Sequence, residues 1–206
     1  YRYSAGNSEY CHIIGFVNRV KFYLQYNITP VFVFDGIPPE AKKNVLVKRQ
    51  SNKRRIYDKI DTLKKIEPKD EKDTEEINAE IKRLSSQIVC VKKSHVDDCK
   101  ELLGLLGVPY LTAPDEAEKY CAFLQKNDLV DYTVSDDTDC LTFGCEKVLK
   151  TGIQGNIVEF NLGIALESLK MNMNQFIDFC ILSGCDYCPY IPQVGSITAF
   201  NIITKH

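Results

Sequence analysis

The chain has 206 residues, of which 44% are hydrophobic and 26% charged, a composition typical of a globular protein with a proper core. Its net charge of −2 argues neither for nor against nucleic acid, and no apolar run approaches the ~18 residues that span a bilayer. The opening residues, YRYSAGNSEY, lack Met and do not resemble a signal peptide, which predicts a fragment of an intracellular protein. Nine irregularly spaced cysteines favour reduced thiols in an intracellular compartment over a disulfide scaffold, so we do not expect secretion.

Strands and helices are predicted to alternate along the chain. Hydrophobic spacing predicts a helix over residues 10–26 and then a buried strand at ITPVFVFDG. Residues 41–90 are charged and helical in pattern, with a break around EPKDEKD. Later elements are the helix HVDDCKELLGLLG, the strand VPYLTAP, the helix DEAEKYCAFLQKN, the strand VDYTVSDD, an edge hairpin of CEKVLKT with NIVEF, and the helices NMNQFIDFCILSG and SITAFNIITKH. This order predicts an α/β fold whose central, mostly parallel sheet is flanked by helices.

Charge is concentrated in two neighbouring segments. The basic segment, Lys42 to Lys65, holds ten Lys or Arg and two Asp, whereas residues 67–80 carry seven acids and two lysines. One interpretation is a solvated helical hairpin whose two arms neutralise each other. The other is a basic arm that binds phosphate groups. The charge pattern alone leaves both open.

Six acids fall where predicted strands or helices end, and we call them the acid cluster. They are Asp35, Glu116, Glu118, Asp137, Asp139 and Asp186. In open α/β sheets, functional residues gather outside the carboxyl ends of the strands. Each acid alone has a structural explanation, such as an N-cap at Asp137 or first-turn acids at Glu116 and Glu118. Divalent cations explain the set better, because Mg²⁺ prefers carboxylates and two ions ~4 Å apart need shared acids.

No histidine is positioned to join these acids, so zinc is a poor candidate. Cys185 and Cys188 form a C-x-x-C pair in SGCDYCPY. A zinc knuckle needs a second pair at suitable spacing, and a thioredoxin-like site needs a strand-to-helix setting that this motif lacks. We expect these two cysteines to be bystanders, although a redox or zinc role stays open.

Four motifs resemble those of the flap endonucleases in the structure-specific 5′ nuclease superfamily. They are PVFVFDGIPPEAKK, VPYLTAPDEAEKYCA, DDTDCLTFG and ILSGCDYCPYIPQVG, in that order and over nearly the whole chain. The resemblance implies one PIN-like 5′ nuclease domain over residues 1–206, with a helical arch inserted at 40–93. Residues 186–206 would begin a helix–hairpin–helix-like DNA-binding segment. The resemblance also implies that the chain is a fragment, without the family's N-terminal start and C-terminal tail.

The resemblance assigns the acid cluster to two Mg²⁺ ions, for which we expect Mn²⁺ to substitute. Asp35 matches an acid that helps bind the first ion, and Glu116 and Glu118 match a pair that sits between the ions. Asp137, Asp139 and Asp186 match acids that serve the second ion. Lys42 and Arg49 match two basic residues at the base of the arch that face the scissile phosphate, and they are the catalytic candidates.

The basic segment would form an arch helix through which a single-stranded 5′ end passes. Its further DNA-binding candidates are Lys43, Lys48, Lys53, Arg54 and Arg55. Gly195 is a candidate for duplex contact and for a K⁺ site, but Gln193-Val194-Gly195 has one glycine fewer than the family's G-x-G. The family's metal-binding Asp near the N-terminus is missing here, so this fragment alone should be an impaired catalyst. A sliding clamp would bind through a C-terminal region outside this chain.

We therefore expect a metal-dependent endonuclease and 5′-3′ exonuclease that hydrolyses DNA phosphodiesters near single-strand/double-strand junctions in replication and repair. Its partner would be DNA with a 5′ flap or branch, not a membrane, and its location the nucleus in a eukaryote. The alternatives are an exonuclease-type or junction-resolving relative, a non-catalytic module that binds branched DNA, and a phosphate-accepting receiver domain. The acid cluster disfavours the binding module, because a binder gains nothing from carboxylates aimed at phosphate. The charged insertion disfavours the receiver domain.

Overall fold

The computed structural model describes residues 10–68, 70–88, 90–151 and 156–205. They divide into two compact units, each with its own packing. The first comprises the chain up to Phe32 together with Leu46–Tyr110, and the second comprises Val33–Val45 and Leu111–His206. The predicted boundaries of the arch and of the DNA-binding segment stay predictions. Within the described ranges, no helix is both long and apolar enough to cross a membrane.

The first unit is helical. Helix α1 spans Cys11–Gln25, and α2 spans Lys43–Lys64, although its first residues belong to the second unit. Helix α3 spans Glu71–Ser85, and α4 spans Lys93–Leu105. The predicted break at EPKDEKD lies between α2 and α3, where the Asp70 side chain caps α3 by accepting a 2.8 Å hydrogen bond from Asp73 N. Gly107 ends the α4 segment with a φ of +67°, which favours glycine.

Helix α1 packs against α4 through a small polar cluster. His12 Nε2 lies 3.1 Å from Asp98 Oδ2, and the His12 ring stacks on the His95 ring with a 4.5 Å separation of centroids. Leu103 and Cys99, on the same helix α4, are buried. Helix periodicity predicted both helices, but it did not predict the contact between the histidines.

The strands form two small sheets in the described part of the chain. Strands β1 (Phe32–Phe34) and β2 (Tyr110–Thr112) make one sheet, and β3 (Thr133–Val134), β4 (Lys147–Thr151) and β5 (Ile157–Asn161) make the other. Phe32 N donates to Pro109 O, and Ala113 N donates to Phe34 O. Residue numbers rise together along both strands, so β1 and β2 run parallel. Strands β3 and β4 are parallel, and β4 and β5 form the predicted antiparallel hairpin.

This arrangement confirms the α/β class and its mostly parallel pairing. The described strands are divided between two sheets, whereas the sequence predicted one central sheet; hydrogen-bonded pairing between strands depends on tertiary packing, which local pattern does not specify.

The core of the second unit lies beneath the loop that follows β3. Helices α5 (Ala117–Lys126), α6 (Leu162–Leu169), α7 (Met173–Ser183) and α8 (Ser196–Lys205) complete this unit. The buried cluster consists of Ala122, Cys140, Leu141, Cys145, Val148, Leu162 and Phe176. Because Cys140 and Leu141 belong to it, the packing that forms the core also fixes the neighbouring Asp139.

A buried glutamine joins α5 to the second sheet. Gln125 Nε2 donates to Asp131 O at 3.0 Å and to Lys147 O at 3.1 Å, and Gln125 Oε1 accepts from Lys147 N. These bonds connect the buried Gln125 side chain to backbone groups at the entry to β3 and β4. Gln125 therefore contributes to the position of the strand that precedes Asp137.

Candidate active site

Asp35 and the start of α5 are held together by a close backbone contact. Gly36 N donates to Asp115 O at 2.6 Å, and a Cβ on Gly36 would lie only 2.0 Å from Ala113 O, so only glycine fits. Asp35 Oδ1 accepts a 2.9 Å hydrogen bond from Ala117 N, the first residue of α5. The FDG motif therefore brings the carboxylate after β1 to the helix that carries Glu118.

Glu116 does not have the role that its position at a helix start predicted. It is the N-cap residue of α5 rather than a first-turn acid, and its side chain makes no capping hydrogen bond. The residue is only 9% exposed. Its Oε1 lies 2.6 Å from Lys42 Nζ, and its Oε2 accepts a hydrogen bond from the Tyr187 hydroxyl. Both carboxylate oxygens therefore contact functional groups of other segments.

The Asp137–Asp139 loop combines a structural and a chemical role. Asp137 Oδ1 caps the short helical turn Thr138–Leu141 by accepting from Asp139 N at 2.9 Å, as the N-cap interpretation predicted. Ser135 Oγ in turn accepts from Asp137 N at 3.0 Å. The capping hydrogen bond uses only Oδ1 of Asp137, so the other carboxylate oxygen can make a second contact.

Lys42 lies among the acids. It ends a short helical turn, Glu40–Lys42, and its Nζ is 2.6 Å from Glu116 Oε1 and 3.7 Å from Asp186 Oδ2. Burial alone would lower the pKa of Lys42, but the hydrogen bond to Glu116 and the charges of Glu116, Asp186 and Glu118 raise it above its ordinary value. Lys42 is therefore a fixed ammonium inside a negatively charged site.

Two acids of the cluster have raised pKa values. Burial is the first cause for Asp139, followed by repulsion from Asp137, Asp186 and Glu116, while Lys42 opposes the shift. Burial is also the first cause of the raised pKa of Glu118, with repulsion from Asp35, Asp137 and Glu116 adding to it. Each of the six acids thus interacts electrostatically with at least one other acid of the cluster, although four separate segments carry them.

The donor set fits hard divalent cations. All six side chains are carboxylates, which suit Mg²⁺ or Mn²⁺ and not soft metals. Among the described residues, no three Asp, Glu, His or Cys side chains already stand in metal-binding geometry. Burial and the neighbouring carboxylates both disfavour the ionised forms of Glu118 and Asp139, and bound cations would favour those forms.

The other basic candidates lie on α2. Lys43, Lys48, Arg49, Lys53, Arg54 and Arg55 are all exposed there. Most of them belong to the first unit, whereas Lys42 and the acid cluster belong to the second. The assignment of these side chains to DNA contacts stays a prediction.

Gly195 directly precedes α8 and is exposed. Its carbonyl accepts a 2.9 Å hydrogen bond from Ala199 N, and a Cβ on Gly195 would meet no atom within 4 Å. Gln193 has a φ of +65°, a conformation that favours glycine. The turn therefore keeps a left-handed backbone at the position where this chain lacks the glycine of G-x-G.

Two features near Asp186 add to the sequence interpretation. Cys185 Sγ and Cys188 Sγ are 3.4 Å apart, and both thiols are free. Tyr187, which lies between them, contacts Glu116 and Lys42. In the sequence, the position of Tyr187 directly after Asp186 is the one sign of a role. Its contacts with Glu116 and Lys42 depend on tertiary packing and could not be predicted from that position.

Comparison with known proteins gives consistent matches. The model of the XPG N-terminal domain matches residues 2–56, and that of the XPG I-region matches residues 107–186. Flap endonuclease 1-A of Sorghum bicolor is 42% identical over 200 residues, which are 95% of this chain and 50% of the relative. The catalytic core of Rad2 in complex with DNA substrate is 30% identical, with a TM-score of 0.70 over 94% of this chain and 52% of that one.

A third match shows the fold alone. The Holliday junction-resolving enzyme GEN1, in complex with product DNA and Mg²⁺, is 21% identical, with a TM-score of 0.60 over 97% of this chain and 38% of that one. Together these matches define the class as the 5′ nuclease fold. The chain belongs to the XPG and flap endonuclease family, which is metal-dependent. It spans about half the length of the curated relatives that it matches.

Proposed function

We propose that the full-length protein is a metal-dependent nuclease that hydrolyses DNA phosphodiesters at 5′ flaps and related junctions. The observation that carries this proposal is the gathering of six carboxylates from four segments, four of which interact with one lysine ammonium. Flap endonucleases are similar over 95% of this chain, and the Rad2 core with DNA substrate shares its fold. A protein that only binds DNA would gain nothing from an acid cluster of this kind.

The acid cluster would hold two Mg²⁺ ions, with Mn²⁺ as a substitute. Asp35 would serve one ion, Glu116 and Glu118 both, and Asp137, Asp139 and Asp186 the other. When bound, such ions supply Lewis-acid chemistry and make a water nucleophilic at neutral pH. The raised pKa values of Glu118 and Asp139 support this assignment, because neighbouring cations would favour the ionised forms.

Lys42 and Arg49 would bind the scissile phosphate. The Lys42 ammonium is held at the acid cluster by Glu116, so it would place positive charge beside the site where the transition state gathers negative charge. Arg49, seven residues further on, would add a second cationic contact. A guanidinium can bind two phosphate oxygens at once.

DNA shape, rather than base sequence, would select the substrate. Lys43, Lys48, Lys53, Arg54 and Arg55 would hold the phosphates of a single-stranded 5′ end, and Gly195 would contact the duplex backbone with a K⁺ ion. A sliding clamp is the expected partner of a C-terminal region outside this chain. In a eukaryote, the protein would act in the nucleus.

The test uses the full-length gene product and a labelled 5′-flap DNA. We expect cleavage near the junction with Mg²⁺, no cleavage with EDTA, and no cleavage by the double variant Asp137→Ala plus Asp139→Ala. Asp136→Ala is the matched control, because Asp136 is an exposed acid of the same loop outside the cluster. DNA binding, measured in Ca²⁺ by fluorescence anisotropy, should survive in the double variant. Tight flap binding without cleavage by the wild type would replace the nuclease with a branched-DNA-binding module.

A further inference from the structure

Tyr187 lies where the segments of the acid cluster meet. It follows Asp186 in the loop between α7 and α8, and its side chain is half-buried. Its hydroxyl donates to Glu116 Oε2, and the Lys42 ammonium lies 5.0 Å from the centre of its ring. The Phe143 ring meets it edge-on at 6.2 Å, with an interplanar angle of 84°. One side chain thus contacts residues from three other segments.

The ring and the hydroxyl of Tyr187 make different contacts. A cation 5.0 Å from a ring centre is within the ~6 Å range of a cation–π interaction. The ring therefore attracts Lys42 without adding negative charge to a site that is already crowded with it. The hydroxyl satisfies one oxygen of the buried Glu116 carboxylate, while Lys42 satisfies the other.

These contacts determine where Lys42 and Glu116 point. Lys42 has a long flexible stem, and carboxylates on several sides attract its ammonium. The ring is the one uncharged group among the contacts of Lys42 Nζ described above, and its plane restricts the ammonium to one face. Phe143, which lies after Asp139 in the chain, packs against the ring in a T-shaped arrangement.

We propose that Tyr187 is a positioning residue, whose ring holds the Lys42 ammonium at the acid cluster and whose hydroxyl fixes the Glu116 carboxylate. The effect on catalysis rests on the proposed nuclease function, whereas the placement of Lys42 does not. The role of the ring and the role of the hydroxyl can be tested separately by substitution. Tyr187→Phe keeps the ring and removes the hydroxyl, and Tyr187→Leu removes both.

The first readout is the position of Lys42 itself. In full-length protein with ¹³C-labelled lysine and EDTA, the Lys42 ε-CH₂ signal should be shifted upfield by the aromatic ring, and Lys42→Ala identifies it by its loss. We expect this shift to persist in Tyr187→Phe and to disappear in Tyr187→Leu. An unchanged Lys42 signal in Tyr187→Leu would overturn the placement of Lys42 by the ring.

The second readout is single-turnover cleavage of a 5′-flap DNA with Mg²⁺. We expect the rate to fall about 3- to 10-fold in Tyr187→Phe and about 100-fold in Tyr187→Leu, with the Kd for DNA changed less than about 2-fold. Tyr26→Leu is the control, because Tyr26 is an exposed tyrosine outside the acid cluster and outside the segments assigned to DNA, and its rate should stay at the wild-type value. Equal rates for Tyr187→Leu and Tyr26→Leu, or a loss confined to the Kd, would overturn the positioning role.

The two readouts separate the inference from the function on which it rests. A wild-type protein that shows the upfield Lys42 signal but cleaves no flap would contradict the nuclease and leave the placement of Lys42 standing. A wild-type protein that cleaves without that signal would contradict the inference alone. Because Tyr187→Phe keeps the ring and its packing on Phe143, it should fold even if Tyr187→Leu does not.

Discussion

The acid cluster of the second unit and the basic segment on α2 differ in how far their charged groups are exposed to solvent. In the acid cluster, burial first and then repulsion between neighbouring carboxylates raise the pKa values of Glu118 and Asp139. On α2, the candidate Lys and Arg residues are exposed. Crowded charge destabilises a fold, whereas exposed charge costs little, so the acid cluster is the stronger evidence of function.

Removal of the lysine inside the acid cluster should have the largest effect. We expect Lys42→Ala to reduce the single-turnover rate of flap cleavage by about 10²- to 10³-fold, because the transition state loses a fixed positive charge. Lys21→Ala, which removes an exposed lysine of α1, is the control and should cleave normally. Wild-type rates for Lys42→Ala would remove Lys42 from the site.

The backbone contact that places Asp35 should have the next largest effect. Gly36→Ala would force a Cβ against Ala113 O, so we expect the free energy of unfolding to fall by about 1–3 kcal/mol in urea titrations. Gly104→Ala is the matched control: no atom lies within 4 Å of its Cβ position inside α4, and alanine there should stabilise by about 0.5–1 kcal/mol. A destabilised Gly104→Ala or a neutral Gly36→Ala would contradict this account of the FDG motif.

The basic segment should act through salt-dependent binding rather than through the chemical step. We expect Lys48→Ala, Arg54→Ala and Arg55→Ala together to weaken flap binding and to reduce the slope of log K against log [salt] by about 2–3. The cleavage rate at saturating DNA should stay near that of the wild type. An unchanged slope would instead favour the solvated hairpin, in which the acids of α3 neutralise α2.

The smallest expected effect is a gain in stability from the acid cluster. Burial and neighbouring acids raise the pKa of Asp139, so ionised Asp139 destabilises the fold once the pH exceeds its ordinary pKa. We expect Asp139→Asn to increase the free energy of unfolding at pH 7 by about 0.5–1 kcal/mol, after allowance for solvent screening. The gain should vanish below about pH 3, where the carboxyl is protonated in both states.

Exposed Asp136 of the same loop is the control, and Asp136→Asn should change stability by less than about 0.5 kcal/mol. A gain in stability that persists below about pH 3, or that is equal in Asp139→Asn and Asp136→Asn, would mean that the burial and repulsion of ionised Asp139 are not its cause.

Periodicity and turn residues predicted most elements of the fold, because each depends on its own stretch of sequence. The break between α2 and α3, the hairpin β4–β5 and the end of α4 near Gly107 were all predicted and observed. Helix α6 was missed because it begins directly after β5, at the cap residue Asn161, with no glycine or proline between them.

The acids were predictable because their motifs are local, but their contacts were not. The N-cap position of Glu116, the hydroxyl contact of Tyr187 and the backbone bonds of Gln125 each join residues that are distant in sequence or depend on packing. Such contacts follow from tertiary structure, which single-sequence patterns do not specify.

The acid cluster is proposed to hold divalent cations, a claim that Mn²⁺ binding to the full-length protein tests without DNA. Binding is measured as the loss of the EPR signal of free Mn²⁺. We expect about two ions per wild-type molecule, with at least one lost in the double variant Asp137→Ala plus Asp139→Ala and none lost in Asp136→Ala. Mn²⁺ binding by the double variant equal to that of the wild type would contradict the claim.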